Sequence, residues 1–331
     1  MIALDANGAD AGPAAVAEGG RGSGAPVLLF GPAAALAGHG AEVVDAPEAI
    51  TGDDEPVRAV RARPDASIVR AARAVGDGTA QALVSAGPTG AALAASVLHI
   101  KRLRGVHRPA VAALVPVPGR PTLLLDAGAS VEVRPEQLVQ FAHMGAAFME
   151  AVHGVRRPRV ALLSVGEEAG KGTPDVREAH ARLARGTLDF VGNVEGGDLT
   201  AGVADVVVTD GFTGNVALKV MEGTAKTVVG AVGDVVRSGA VSSLGGLLIR
   251  RRMGALREQL DPNVVGGAIL LGLRATVVIA HGASTPDGVA NAVRLAQRAI
   301  DERMVERTAS ALAAAGALRS GATASVADRH D

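Results

Sequence analysis

Short apolar runs alternate along the chain with longer amphipathic stretches, and this alternation constrains the fold more than any other feature. Residues 2–4, 27–30, 82–84, 110–115, 122–125, 160–165, 206–208 and 276–280 read as buried strands. Stretches such as 135–152, 175–184 and 216–236 read as helices between them. Strand, helix, strand is the pattern of a three-layer α/β fold, a mostly parallel sheet with helices on both faces. The Gly-rich segment 19–24 reads as a loop, and the Leu- and Arg-rich segment 239–262 as a helical excursion protruding from the sheet. The expected organisation is one α/β unit over 1–305, in one lobe or in two around a cleft, with an Ala-rich tail over 306–331 that reads as a frayed helix followed by disorder.

The composition suits this fold and excludes several functions. Hydrophobic residues make up 48% of the 331 and aromatic ones only 2%, so Ala, Val and Leu fill the core. A formal charge of −1 argues against a general nucleic-acid binder. With no cysteine, the chain can use neither a disulfide, nor a thiolate metal site, nor an enzyme thioester. The N-terminus opens directly on a strand-like run, without the basic and long apolar regions of a signal peptide. A soluble cytoplasmic protein is expected.

Three strand ends lead into small Gly-containing turns: Ser85-Ala86-Gly87-Pro88-Thr89-Gly90, Asp210-Gly211-Phe212-Thr213-Gly214-Asn215 and His281-Gly282-Ala283-Ser284-Thr285. Glycine lets backbone approach a ligand, and free N–H groups with hydroxyl and amide side chains favour an anion. In a parallel sheet such turns share the carboxyl edge, and three together point to a phosphate-like ligand. Capping of the following helices is the plainer role for each.

Gly166-Glu167-Glu168-Ala169-Gly170-Lys171-Gly172 resembles a nucleotide loop but has three residues, not four, before its Gly-Lys, and Gly172 stands where a metal-binding hydroxyl belongs. Lys171 suits neutralising a phosphate or an oxyanion, or is simply a solvated surface lysine. No Gly-x-Gly-x-x-Gly follows a strand, so no nicotinamide fingerprint is present. Asp5, Asp126 and Asp210 each close a strand without His or Cys support; turn capping is favoured over a metal, and no metal or cofactor is expected. Leu247, Leu248, Ile249 and Met253, flanked by Arg250, Arg251 and Arg252, suit core packing, a dimer contact or an anionic membrane surface. Lys101, Arg102, Arg104 and Arg108 form a second basic cluster, fit for an acidic partner or simply a solvated face.

These residues together resemble the bacterial phosphate acyltransferase family. The carriers are Asp5-Ala6-Asn7-Gly8-Ala9-Asp10 with Gly12-Pro13, Ser85–Ala91, Leu124–Ala129, Gln140–Gly145, Gly166-Glu167-Glu168 with Lys171-Gly172, Phe190–Gly196, Asp210–Val216, Leu260-Asp261-Pro262 and Ala280-His281-Gly282. The sequence departs from the family pattern at Asn7, Ala9, Pro88 and Thr285-Pro286. The resemblance implies a homodimer with a Rossmann-like sheet, related in architecture to phosphotransacetylases and isocitrate dehydrogenases. It implies acyl carrier protein as acyl donor, inorganic phosphate as acceptor, and peripheral membrane contact where the acyl phosphate passes to a glycerol-3-phosphate acyltransferase. On that footing Lys171 and Asn215 are the candidate catalytic residues. Asp5, Asn7, Gly8, Ser85, Gly87, Thr89, Gly90, Asp210, Gly214 and His281 are the candidates for holding phosphate and substrate. The alternatives are a non-catalytic scaffold binding carrier protein and membrane, and an NAD- and metal-dependent decarboxylating dehydrogenase of related architecture.

Overall fold

A computed structural model describes residues 1–115, 121–259, 264, 266–280 and 284–319. Its centre is one eleven-stranded sheet with the order β3-β2-β1-β4-β11-β10-β5-β6-β9-β7-β8. The first half comprises β1 (Ile2–Asp5), β2 (Val27–Gly31), β3 (Glu42–Asp45), β4 (Ala82–Ser85) and β11 (Thr276–Ile279), all parallel. The second half comprises β6 (Thr122–Leu125), β7 (Arg159–Leu163), β8 (Asp189–Val194) and β9 (Val206–Val208), also parallel. Between them, β10 (Ala268–Leu271) runs against both β11 and β5 (Ala110–Val115), and β5 runs against β6. The two halves therefore point in opposite directions, and their carboxyl ends lie on opposite edges of the ladder.

The strands form where they do because both faces are covered. Alternate residues of one strand enter different cores: Ile2 and Leu4 join one cluster, Ala3 another. The first cluster is continuous along one face, under α1 (Gly12–Gly22), α6 (Pro135–His153), α7 (Pro174–Leu183), α10 (Pro286–Asp301) and α11 (Met304–Ala314). The other face carries two separate clusters, one per half. Leu218 of α8 (Gly211–Arg237) packs against both and is the stitch between them. On the first half this face holds α3 (Pro56–Ala62), α4 (Ser67–Gly76) and α5 (Thr89–Ala95), the last running straight into a π-helical turn, Ser96–Ile100. The short α2 (Ala33–Leu36) lies between β2 and β3.

Three expectations are corrected. The Gly-rich segment expected as a loop is largely α1, which continues to Gly22. A Cβ at Gly19 would stand 2.5 Å from the Pro286 carbonyl oxygen, and one at Gly20 2.8 Å from Leu4, so the glycines serve close packing on α10 and β1. Helix α8 starts at Gly211, not at 216. The expected frayed tail is a packed helix as far as Ala314, with Met304, Val305, Ala309 and Leu312 buried. Beyond it, Gln140 donates from Nε2 to the Ala317 carbonyl (2.8 Å). The helical excursion is α9 (Ala240–Gln259), which pairs with α8 through Gly246 against Val236. Among the described residues no helix is long and apolar enough to cross a membrane.

Candidate active site

The three Gly-containing turns do not share one edge. The reversal at β10, β5 and β6 puts Ser85–Gly90 and the exit of β11 on one edge and Asp210–Asn215 on the other.

At the first edge, Asp5 and Ser85 close adjacent strands in register. Both are buried. The Ser85 hydroxyl donates to Asp5 Oδ2 (2.7 Å) and accepts from the Gly87 N–H (3.1 Å). The Asn7 N–H donates to Asp5 Oδ1 (3.3 Å). Ser67 Oγ approaches the same carboxylate without completing a hydrogen bond of ordinary geometry. Burial lifts the Asp5 carboxyl from 3.8 to about 6, against the pull of these neighbours. The Asn7 amide donates to the Pro47 carbonyl (3.1 Å), tying the first turn to the loop after β3. Gly8, at φ +87°, lies under the Ile50 carbonyl and beside Gly87 and Pro88, so the turns after β1 and β4 touch. Thr89 is exposed and Gly90 half-buried against Pro56. Strand β11 leaves beside them, with the Ala280 N–H donating to the Ser85 carbonyl (2.8 Å). His281 lies outside the described residues.

At the second edge the organising residue is Asp126, which the sequence offered only as a strand-end carboxylate. Its Oδ1 accepts from the N–H groups of Val111, Gly128 and Ala129, and its Oδ2 from Ser130, at 2.8–3.1 Å. Burial raises this carboxyl too, opposed by the four backbone donors. The loop so fixed seats the first turn of α8. A Cβ at Gly211 would meet Ser130 and Asp126 Oδ2, and one at Gly214 would run into the Asp126 carbonyl oxygen. Asp210 caps the helix, accepting from the N–H (2.8 Å) and hydroxyl (2.7 Å) of Thr213. Asn215 is exposed, its side chain against Gly128.

Lys171 belongs to this second edge, in the loop after β7. Its stem covers Gly166, and its exposed ammonium has no hydrogen-bond or ion-pair partner among the described residues. The loop is held by Asn193 Nδ2 donating to the Glu168 carbonyl (2.9 Å). Asn193 Oδ1 and Ser164 Oγ are buried beside it without hydrogen-bond partners among the described residues. Thr173 and Val176 then line a cavity of about 770 Å³ with Arg134, Asp210, Phe212 and Thr213, so the Lys171 loop and the start of α8 face common space. Ser164 carried no sequence signal, because an isolated serine after a strand is ordinary. Among the described residues no cluster of three or more His, Asp and Glu could hold a metal ion.

The architecture is that of phosphotransacetylases. The chain superimposes on EutD phosphotransacetylase from Staphylococcus aureus (TM-score 0.55, 15% identity, covering 90% of this chain and 93% of that one). It also superimposes on a phosphotransacetylase from Streptococcus pyogenes (TM-score 0.57, 17% identity, 91% and 94%). Sequence narrows the class. The fatty acid synthesis protein family matches residues 1–307. The phosphate acyltransferase of Anaeromyxobacter sp. (strain K) is 44% identical over 330 residues, covering 96% of this chain and 91% of its own. That of Desulforudis audaxviator is 42% identical over 313 residues, covering 92% and 93%. The chain belongs to the phosphate acyltransferase family.

Proposed function

We propose that the chain transfers a long-chain fatty acyl group from acyl carrier protein to inorganic phosphate, giving an acyl phosphate for phospholipid synthesis. The observation that carries this reading is the near full-length identity to proteins named phosphate acyltransferase, over a fold with small-residue turns at its strand ends. Phosphate is already a nucleophile and a thioester an activated donor, so the protein's task is to position both and stabilise the tetrahedral oxyanion. Without cysteine, direct attack is the simplest course. The phosphate oxygen bonds to the acyl carbon, the carbon–sulfur bond breaks, and the carrier leaves as its thiol.

In this reading the paired turns 5–8 and 85–90, with His281, hold phosphate. Lys171, whose ammonium is unpaired, supplies charge to the oxyanion, and Asn215 a hydrogen bond. Sheet twist supports a site shared between the two halves. At about 20–25° per strand, the four steps from β4 to β6 turn the second half by roughly 90°, so the two carboxyl edges stand nearer a right angle than back to back. Leu218 marks the seam on the face both halves share. Leu247, Leu248 and Ile249 are exposed on α9, with Met253 half-buried, ahead of Arg250, Arg251 and Arg252. They suit a partner copy or an anionic bilayer, from which a membrane-bound glycerol-3-phosphate acyltransferase would take the product.

The test is purified protein with long-chain acyl carrier protein and phosphate, the acyl phosphate trapped with hydroxylamine. Phosphate-dependent hydroxamate and free carrier are expected. Carrier binding with no phosphate-dependent release would leave only a scaffold. Lys171→Ala should lower the rate roughly 100-fold, as for loss of an oxyanion donor; near-normal turnover removes Lys171 from the mechanism.

A further inference from the structure

We infer that Asp5 is a positioning residue: it holds Ser85, and through Ser85 the backbone of Gly87, so that the turn after β4 keeps the shape that receives phosphate. The inference rests on the reading that phosphate binds there, and it assigns Asp5 and Ser85 a task other than touching the ligand.

The argument is one of hydrogen-bond direction. An ionised carboxylate only accepts, so it offers a phosphate oxygen nothing but repulsion. Both Asp5 oxygens are already engaged, Oδ1 by the Asn7 N–H and Oδ2 by the Ser85 hydroxyl. The Ser85 proton is thereby committed to Asp5, and its oxygen takes the Gly87 N–H. Ser85 is left with no proton to donate to phosphate. The chain of bonds instead crosses from β1 to β4 and ends on the backbone of the turn. Gly87 lies within ordinary van der Waals reach of the pair. A Cβ on it would stand 3.4 Å from Ser85 Oγ and 3.5 Å from both Asp5 Oδ2 and the Asn7 carbonyl, so the turn lies flat on the pair.

Burial sharpens the point. Asp5 and Ser85 are within 1% of complete burial, yet the carboxylate has only two ordinary hydrogen bonds. A hydrophobic or amide side chain there would give a more comfortable core. A position that is costly to the fold and sits under the turn after β4 is one whose benefit lies in the geometry of that turn.

The experiment uses the full chain with acyl carrier protein and phosphate, comparing wild type, Asp5→Asn, Ser85→Ala and the double variant. The asparagine keeps the shape but cannot accept from both Asn7 and Ser85. The expected result for Asp5→Asn is a rise in KM for phosphate of about 10-fold or more, the effect of one misplaced buried hydrogen bond. The KM for acyl carrier protein stays within about 2-fold and the melting temperature does not fall. Ser85→Ala should shift the same constant, and the double variant should be no worse than the more affected single, because one relay is broken only once. An unchanged phosphate KM in Asp5→Asn, with an active wild type, overturns this inference alone. So does additivity of the two substitutions, or a fall in stability that moves kcat and both KM values together. A wild type that neither binds nor uses phosphate overturns the site reading and the inference with it.

Discussion

Each half of the sheet closes a strand with a fully buried aspartate, and the two are satisfied in different ways. Asp126 accepts four backbone N–H groups and nails down the loop that seats α8. Asp5 has one backbone N–H and one hydroxyl. Burial raises both carboxyls, Asp5 to about 6. The second half uses its buried charge as a scaffold for backbone. The first carries a charge that its surroundings only partly compensate, which is the mark of a site where geometry outranks stability.

The largest expected effect is at the scaffolded edge. Gly214→Ala would force a methyl into the Asp126 carbonyl oxygen, backbone against backbone. A loss of about 3 kcal/mol or more in urea unfolding is expected; a loss under about 1 would mean the α8 seat is looser than its contacts imply. Next come the two asparagine substitutions, which should differ in sign. Asp126→Asn turns an NH₂ group toward a backbone N–H and should cost about 1–3 kcal/mol. Asp5→Asn should stabilise at pH 7. A folded-state carboxyl raised from 3.8 to about 6 gives stability that is complete below pH 3.8 and is lost as pH rises through about 6. Wild-type stability should therefore fall between pH 4 and 7 by up to about 3 kcal/mol from this group, and Asp5→Asn should lack that slope. If both substitutions destabilise equally at pH 7, the contrast between the halves fails.

Two smaller effects concern the turns themselves. Gly90→Ala would bring a Cβ within 2.7 Å of the Pro56 ring, a side-chain contact that can shift, at a cost of about 1 kcal/mol. Helix α8 has Asp210 as its cap, whereas α5 has Pro88 at its cap position and no capping side-chain hydrogen bond. Pro88→Asn, at φ −59° and ψ 128°, should add a cap worth a few tenths to about 1 kcal/mol in thermal melts; no gain would show that the first turn tolerates no cap.

The halves also differ in how well the sequence discloses them. Central strands such as 82–85 and 206–208 are legible because burial on both faces demands unbroken apolar runs. Edge strand β3 is not, since its Glu42 and Asp45 are exposed. Nor is β8, with Gly192 at φ +100° and a register shift opposite Val160 and Ala161. Gly19, Gly20, Gly211 and Gly214 all read as turn formers, yet each lies in a helix pressed on a neighbour, a demand that exists only in three dimensions. The small turns after β4 and β9 are legible as strand-to-helix turns. Their edges are not, because β10 and β5, each antiparallel to both its neighbours, give no signal of their direction. Asp126 looked like its fellow strand-end aspartates because its partners are backbone amides, which a sequence never displays.

The first half is built from segments far apart in the chain. Strand β4 takes β11, nearly two hundred residues later, as its neighbour, and α1 rests on α10. A ribosome therefore delivers β1 to β4 early and leaves the β4 flank open while the whole second half is made. Until Thr276–Ile279 emerges, that flank is a bare row of amides and carbonyls. Among the described residues, the last strand in chain order is thus the one that seals the flank of β4.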